Sequence, residues 1–360
     1  MTQAAVLAQA GNSNGTFRNK IINGDMRIDQ RNAGASGSSA GYTVDRWANY
    51  VTQSSKFTWG RNLNSVTPPA GFTNYMGIQS SSSYSILSTD FFEFYQLIEG
   101  YNISDLAWGT ASAQTVTLSF WVRSSLTGTF AGFLCNAVNT QTYPFTYTIS
   151  SANTWTQIAI TIPGSTTGTW AVDSSNGLQV SFSLGFGSSF NGTANAWNAS
   201  QLYSVAGSQS VVATSGATWY VTGVQLEVGT AATAFELRPY GTELQLCQRY
   251  IEVIKMQDSG NETLTNIAFV YTNPSIFMNY PHKVVKRSQP GVTLVGAASS
   301  FQALTTGGTW NQANGISATT NQHSSRIILT MASWSGFTLG NAAETRADTG
   351  GGKLYIDAEL

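Results

Sequence analysis

The stretch that decides the fold is TVTLSFWVR, residues 115–123, in which apolar side chains alternate strictly with others. Leu118 and Phe120 fall on one side of an extended chain, while Thr117 and Ser119 fall on the other. A period of two residues is typical of a β-strand with one buried face. The same alternation recurs in WTQIAITIP (155–163), LQVSFSLGF (178–186) and WYVTGVQLEV (219–228). These stretches predict amphipathic antiparallel strands packed on a core.

Clusters of Gly, Pro, Asn and Ser separate these strands at intervals that suit β-sandwiches better than helical crossovers. The predicted fold class is therefore all-β. A chain of 360 residues exceeds the length at which a single core usually divides, so two domains are expected. We predict an N-terminal β-sandwich over 18–240 and a smaller C-terminal β-domain over 257–360.

One segment has helical spacing instead. In GTELQLCQRYIEVI, residues 241–254, Thr242 is a suitable N-cap and Glu243 is an acid in the first turn. This pattern predicts a linking helix over 241–256. Its buried stripe would consist of Leu244, Cys247, Tyr250, Ile251 and Ile254.

Charge is scarce in this chain. Only 10% of the residues are charged and the formal net charge is −1. Without an excess of positive charge we expect no binding to nucleic acid or anionic lipid. No long apolar run and no secretion signal is visible, so we expect neither membrane insertion nor export through a signal peptide. Cys135 and Cys247 are too far apart in sequence to indicate a disulfide framework, and we interpret both as core residues.

The sequence contains no recognisable set of catalytic residues. Carboxylates are few and scattered, whereas glycoside hydrolysis needs a pair of them close together. His282 and His323 are the only histidines, and no metal-binding or nucleophile motif surrounds them. We expect a protein that is not an enzyme and needs no cofactor.

Sugar recognition requires aromatic faces and neutral hydrogen-bonding groups, and the ten Trp and fifteen Tyr in a polar background provide both. FNGTANAWNASQLYS, residues 190–204, reads as a long loop between strands, where binding residues often lie. The predicted glycan-binding residues are Trp197, Tyr203, Asn191, Asn195, Trp310 and Trp334. An ordered subunit contact would explain the same aromatic residues.

Four motifs, in order, carry a resemblance to a known family. They are RNKIINGDMRIDQRNAG with YTVDRW (18–34 and 42–47), the jelly-roll strands VTLSFWVRSS, WTQIAITIPG and GLQVSFSLG, the joint from Gly223 to Glu252, and the final DAEL. Together they resemble tailed-phage virion proteins, common in cyanophages, that are labelled tail fibre or virion structural protein.

That resemblance implies a place on the tail or capsid surface of a virion and synthesis in the host cytoplasm. It also implies a homo-oligomer, most simply a trimer, attached to other virion proteins through an N-terminal arm over 1–17. The partner outside the particle would be a host surface glycan. The alternatives are a decoration protein with purely structural subunit contacts and an envelope polysaccharide depolymerase.

The jelly-roll strands also resemble carbohydrate-binding modules with a galactose-binding-like sandwich. This resemblance implies a first strand built from Ile21, Ile22, Met26 and Ile28. Such modules often hold calcium near their first strands, but here Met26 and Arg27 follow Asn-Gly-Asp where a further acid is expected. The remaining calcium candidates are Asp25, Asp29 and Glu227, because calcium prefers hard oxygen ligands.

Overall fold

The computed structural model describes residues 17–255, 262–347 and 352–360. The chain divides into two compact units, Met1–Pro239 with Leu360 and Tyr240–Glu359. Both units are built almost entirely from strands, which confirms the all-β prediction. The expected attachment arm over 1–17 lies outside the described residues except for Phe17. None of the helices in the described ranges is long and apolar enough to cross a membrane.

The first unit contains eleven described strands, numbered here in chain order. They are β1 Gly41–Tyr42, β2 Trp47–Val51, β3 Phe57–Arg61, β4 Met76–Ser80, β5 Phe91–Glu99, β6 Val116–Ser124, β7 Gly128–Cys135, β8 Thr142–Ile149, β9 Thr156–Ile162, β10 Asn176–Phe186 and β11 Thr218–Val228. Short 3-10 turns lie at Leu63–Ser65, Gly100–Asn102, Ser104–Leu106 and Ser188–Phe190.

These strands form two antiparallel sheets. The six-stranded sheet has the order β1-β2-β5-β10-β7-β8, and the five-stranded sheet has the order β3-β4-β11-β6-β9. Most apolar residues of the predicted alternating strands, such as Leu118 of β6 and Phe182 of β10, are buried in one common core, and Ile158 and Ile160 of the edge strand β9 are half-buried against it. The unit is therefore a β-sandwich, as the alternation predicted.

Large aromatic side chains fill the sandwich core. The ring of Trp47 stacks on Phe94 with centroids 4.9 Å apart, and Trp219 contacts both Phe94 and Phe182. The indole N–H of Trp219 donates to the hydroxyl oxygen of Tyr147 at 3.0 Å. Because this polar atom has a partner, burying the ring stabilises the fold without an unsatisfied donor.

The predicted first strand is wrong in its secondary structure. Its residues Ile21, Ile22, Met26 and Ile28 are buried, but this described segment contains no strand. Asn23 and Met26 have φ angles of 58° and 60°, which interrupt an extended chain. The Asn19 amide instead ties the segment to β11, since it accepts from the Leu226 N–H at 3.0 Å and donates to the Val224 carbonyl at 3.2 Å.

The second unit begins with a helix, α1 Tyr240–Gln248, and continues as strands. The described strands are β12 Ile251–Lys255, β13 Glu262–Thr272, β14 Ser275–Pro281, β15 Gly291–Val295, β16 Phe301–Leu304, β17 Trp310–Thr320, β18 Ser324–Met331, β19 Ala342–Ala347 and β20 Lys353–Asp357, with a 3-10 turn at Ala298–Ser300. Strands β12, β20 and β15 form a three-stranded sheet, and β13-β14-β18-β17-β16-β19 close into a barrel.

The linking helix predicted over 241–256 is shorter than the sequence pattern suggested. It ends at Gln248, and Ile251 already lies in β12, opposite Asp357 of β20. The run Ile-Glu-Val-Ile is rich in β-branched residues, which favour a strand, and pairing with β20 outweighs the helical spacing. Tyr250, Ile251 and Ile254 are buried as predicted, but not as one stripe of a helix.

Replacing Ile251 by Ala should lower the free energy of unfolding of the second unit by ~2–5 kcal/mol, because the side chain is completely buried and its removal leaves a cavity. Gln245→Ala is the matched control, since this helix residue is exposed and should cost less than about 0.5 kcal/mol. Urea unfolding of the two variants measures both values. Equal effects at the two positions would contradict the packing described for β12.

Candidate functional site

Strand β10 presents different chemistry on its two faces. The residues that face the core are Leu178, Val180, Phe182 and Leu184. Gln179, Ser181 and Ser183 alternate with them and lie on the outer face of the six-stranded sheet. In the register with β5, Ser181 is opposite Tyr95 and Ser183 is opposite Glu93. Polar groups of two neighbouring strands therefore meet on this outer face.

We call five residues of the outer face the tyrosine–glutamate strip: Tyr50, Glu93, Tyr95, Gln179 and Tyr203. Tyr50 lies opposite Glu93 in the pairing of β2 with β5, and Tyr203 comes from the loop after β10. Tyr50 is 52% exposed and Glu93 only 7%. The other three side chains are half-buried. The strip thus combines accessible aromatic rings with a nearly buried acid.

Burial raises the pKa of Glu93 from 4.5 to about 7, although hydrogen bonds from Ser181 and Gln179 act in the opposite direction. Burial and the nearby Glu93 charge also raise the pKa of Tyr95 to about 12. Burial is again the main reason that the pKa of Tyr203 is raised, with smaller contributions from Cys135 and Glu93. Both phenol groups therefore lie close enough to Glu93 to sense its charge.

The two oxygens of the Glu93 carboxyl have different surroundings. Oε2 accepts from the Ser181 hydroxyl at 2.6 Å and from the Gln179 amide at 2.9 Å. Within the described ranges no donor reaches Oε1, and this atom is not sealed from solvent. The Ser183 hydroxyl, opposite Glu93 and 1% exposed, is buried without a hydrogen-bond partner among the described residues. The unused hydrogen-bonding capacity that a ligand could reach is therefore at Oε1 of Glu93.

Aromatic rings build up the rest of this outer face. Tyr203 stacks on Phe190 with centroids 5.6 Å apart and contacts Phe133 at 4.6 Å. On the other side, Tyr50 stacks on Phe91 at 5.2 Å. These rings keep Tyr203 and Tyr50 in fixed orientations, which lowers the entropic cost of binding a ligand against them.

Trp197, predicted as a glycan-binding residue, belongs to a different aromatic cluster. Its ring lies 5.4 Å from Trp108, 5.6 Å from Trp170 and 5.2 Å from Tyr143. Its indole N–H donates to the carbonyl oxygen of Pro163 at 2.8 Å. Because its one donor is already used, half-buried Trp197 offers a ligand only part of a ring.

The two predicted asparagines shape the same loop. Asn195 is exposed, has a φ of 56°, and donates its backbone N–H to the Pro144 carbonyl at 2.7 Å. Asn191 is half-buried and forms an isolated bridge with Ser204. Of the four predicted residues in this loop, only Tyr203 belongs to the tyrosine–glutamate strip.

Trp310 and Trp334, the two candidates in the second unit, are both half-buried. The guanidinium of Arg346 lies 4.0 Å above the Trp310 ring, a cation–π contact that covers one of its faces. Trp334 packs against Phe337, with centroids 5.4 Å apart, and against the barrel core. Each ring is therefore partly used in packing within its own unit.

The structure does not gather the three calcium candidates into one site. Asp25 pairs with Arg27 at 3.0 Å, and Asp29 accepts backbone N–H groups of the following turn at 3.0 and 2.6 Å. Glu227 accepts the N–H and hydroxyl of Thr233 at 2.8 and 2.7 Å. Over the described part of the chain, no three His, Cys, Asp or Glu side chains lie together as metal ligands would. Each carboxylate is instead held by its own protein donors.

A second groove lies on the outer face of the five-stranded sheet. Trp121 of β6 lines it together with Phe72, Phe235 and Leu237, and Gln157 lies at its side. Its lining mixes apolar with polar side chains and contains no carboxyl group. Because a carboxylate is a strong acceptor for sugar hydroxyls and this groove has none, we take the tyrosine–glutamate strip as the better candidate for a glycan site.

Sequence reasoning missed four members of the strip: Tyr50, Glu93, Tyr95 and Gln179. The signal was present in FFEFYQLIE, residues 91–99, where one acid interrupts an aromatic run. Phe92 and Phe94 alternate with Glu93 and Tyr95, so the acid had to lie on the face opposite the core. Strand pairing, which brings β10 and β2 beside β5, was not readable from the sequence.

Comparisons with known proteins find only distant structural similarity. The chain is similar, over 59% of its length and 22% of the other chain, to the enzymatically active domain of tailspike protein 4 of bacteriophage CBA120, with 13% identity and a TM-score of 0.31. It is also similar to the module TmCBM61 in complex with β-1,4-galactotriose, at 11% identity, coverage of 59% and 99%, and a TM-score of 0.30. A third similar structure is a family 11 carbohydrate-binding module of Clostridium thermocellum in complex with a β-1,3-1,4-mixed-linked tetrasaccharide. It is 13% identical, the match covers 56% of this chain and 99% of the other, and the TM-score is 0.27.

No protein-family model and no curated protein matches the sequence. At TM-scores this low, the structural matches assign neither a family nor a ligand to this chain.

Replacing Glu93 by Gln should make the protein more stable at alkaline pH. Below about pH 4.5 the carboxyl is protonated in both the folded and the unfolded chain, so the variant and the original protein should be equally stable. Between about pH 4.5 and about pH 7 the unfolded chain has lost this proton while folded Glu93 keeps it, so the penalty on the folded state grows over this range and is constant above it. At about pH 8.5 the variant should gain up to ~3 kcal/mol, measured by urea unfolding.

Glu236→Gln is the control with the opposite sign. Burial alone would raise the pKa of Glu236, but the N–H groups of Asn19 and Phe17 and the charge of Arg238 outweigh it and lower this pKa. The ionised Glu236 carboxylate therefore stabilises the folded state above its usual pKa, and this stabilisation is lost on acidification. Glu236→Gln should consequently lower the free energy of unfolding at about pH 8.5. If both substitutions lowered the free energy of unfolding at about pH 8.5, the environment described for Glu93 would be contradicted.

Proposed function

We propose that this protein is a non-enzymatic, glycan-binding protein of a phage particle, a tail fibre or receptor-binding adhesin that binds a neutral sugar chain at the tyrosine–glutamate strip. The observation that carries the proposal is the pair of half-exposed rings, Tyr95 and Tyr203, beside a carboxyl oxygen of Glu93 that no described residue donates to. Rings of this kind pack on the apolar face of a pyranose, and the polar groups between them bind its hydroxyls.

The charge of the strip favours a neutral ligand. Its five residues include no Lys or Arg, so an acidic glycan would find no cation to pair with there. The whole chain carries a formal net charge of only −1, which gives no long-range attraction to a polyanion. Binding through rings and hydroxyl contacts should consequently change little with salt.

A shallow platform of this size should bind one glycan weakly, with a dissociation constant of roughly millimolar to micromolar. The homotrimer implied by the resemblance to phage fibres would present several strips on one particle. Multivalent attachment would then exceed the single-site affinity by orders of magnitude.

The virion assignment rests on the order of the four motifs that resemble tailed-phage virion proteins, from residues 18–34 to the final DAEL. The arm over 1–17, which would attach the protein to the particle, lies outside the described residues except for Phe17. Immunogold electron microscopy of the particle tests this assignment. Labels at the distal end of the tail support an adhesin, and an unlabelled particle contradicts a virion protein.

The proposal of binding without cleavage rests on the surroundings of Glu93. Hydrolysis of a glycosidic bond usually needs two carboxyl groups about 5–10 Å apart that flank the bond. Among the described residues, no second carboxylate contributes to the pKa shift of Glu93. Prolonged incubation with bound polysaccharide should release no oligosaccharide, and any release would favour the depolymerase alternative.

A decoration protein is the second candidate function. The contacts of Trp197 with Trp108 and of Trp310 with Arg346 favour it, because they use these aromatic residues in structural packing. In that case immunogold labels should cover the capsid or the tail tube evenly, and the isolated protein should bind no glycan.

Tyr50→Ala should weaken glycan binding about three- to tenfold, because it removes the most exposed ring of the strip and ~0.5–1.5 kcal/mol of ring contact. Isothermal titration calorimetry with neutral galactan, mannan, xylan and glucan measures this change. Tyr101→Ala is the matched control: Tyr101 is 60% exposed in the same unit but lies in the 3-10 turn Gly100–Asn102, outside the strip.

Equal effects of Tyr50→Ala and Tyr101→Ala on glycan affinity would contradict the strip as the binding site. A steep loss of binding between low salt and about 0.5 M NaCl would indicate a charge-driven contact that these five residues do not provide.

A further inference from the structure

We propose that Glu93 determines the ligand specificity of the strip: the ionised carboxylate accepts a hydrogen bond from a sugar hydroxyl at Oε1, favours neutral over acidic glycans, and makes binding stronger above neutral pH than below it. This inference rests on the proposed function and goes beyond it, because it names the discriminating atom and the pH dependence of binding.

The hydrogen bonds of Glu93 leave one position for a ligand. Oε2 already accepts from Ser181 and Gln179, which fixes the carboxyl group in the outer face of the sheet. Among the residues described, nothing donates to Oε1, although a carboxylate oxygen is a strong acceptor. A hydroxyl of a sugar packed between Tyr95 and Tyr203 is well suited to donate to it.

The titratable and polar groups that face Glu93 come from four strands and one loop. They are Tyr50 of β2, Tyr95 of β5, Cys135 of β7, Gln179 and Ser181 of β10, and Tyr203 of the loop. Burial raises the pKa of the Cys135 thiol, and burial with the Glu93 charge raises that of Tyr95 to about 12. No described cation contributes to the shift of Glu93, so no ion pair fixes its charge.

Two opposite pH dependences follow. A neutral glycan that donates to Oε1 binds the ionised form best, since hydrogen bonds to a charged group are the stronger ones. An acidic glycan places its own carboxylate beside Glu93, and the two like charges repel in a poorly solvated site. Affinity for a neutral glycan should therefore rise with pH, whereas any affinity for an acidic one should fall.

The test compares the full-length protein with its Glu93→Gln variant by calorimetry at about pH 5.5 and about pH 8.5. The ligands are the four neutral polysaccharides named above and, as the acidic probe, polygalacturonate. The original protein should bind its neutral ligand about tenfold more tightly at the higher pH. The variant should show no such pH dependence, and at about pH 8.5 it should bind about tenfold more weakly.

Glu236→Gln is the control, because it removes a carboxylate outside the strip and should keep the pH dependence of binding. Circular dichroism confirms that each variant is folded at both pH values. Equal affinity of the original protein at both pH values, with unchanged binding by Glu93→Gln, would overturn this inference. The proposed function would still stand if Tyr50→Ala weakened binding, whereas failure to bind any of the five polysaccharides would overturn both.

Discussion

The pleat of β10 is the constraint on which the rest of the structure depends. Successive side chains of a strand point to opposite faces, so one short run must serve two purposes. Val180 and Phe182 enter the sandwich core, while Gln179 and Ser181 are fixed on the outer face, next to Glu93. Because the same backbone carries both sets, tight packing of the core also positions the hydrogen-bonding groups of the strip.

A buried carboxyl group is costly unless it is fully paired, and Glu252 and Glu93 differ in how far they are paired. Glu252 of the second unit is completely buried; its Oε1 accepts from the Tyr280 hydroxyl at 2.7 Å and its Oε2 from the Lys286 ammonium at 2.8 Å. That arrangement satisfies both oxygens and suits a structural ion pair. Glu93 has no cation among the described residues and keeps Oε1 unused, an arrangement that suits ligand binding.

The sequence was sufficient to predict what depends on local periodicity. The alternation in TVTLSFWVR and LQVSFSLGF correctly predicted strands and an all-β fold, but most outer-face residues of β6 and β10 are buried as well, so these strands are not half-buried. It failed where tertiary pairing decides, as at Ile251, which pairs with β20 instead of extending α1. The strip was beyond reach for the same reason, since Tyr50, Glu93 and Gln179 are distant in sequence and meet only through the order β2-β5-β10. Of the aromatic residues predicted to bind glycan, only Tyr203 belongs to the strip.

The central claim is that this outer sheet face binds a neutral glycan, and a crystal structure of the complex with a neutral oligosaccharide tests it most directly. The account predicts a sugar ring packed against Tyr95 or Tyr203, with one hydroxyl about 2.6–3.2 Å from Oε1 of Glu93. An oligosaccharide bound instead in the groove beside Trp121, or at Trp310 and Trp334, with the strip empty, would contradict it.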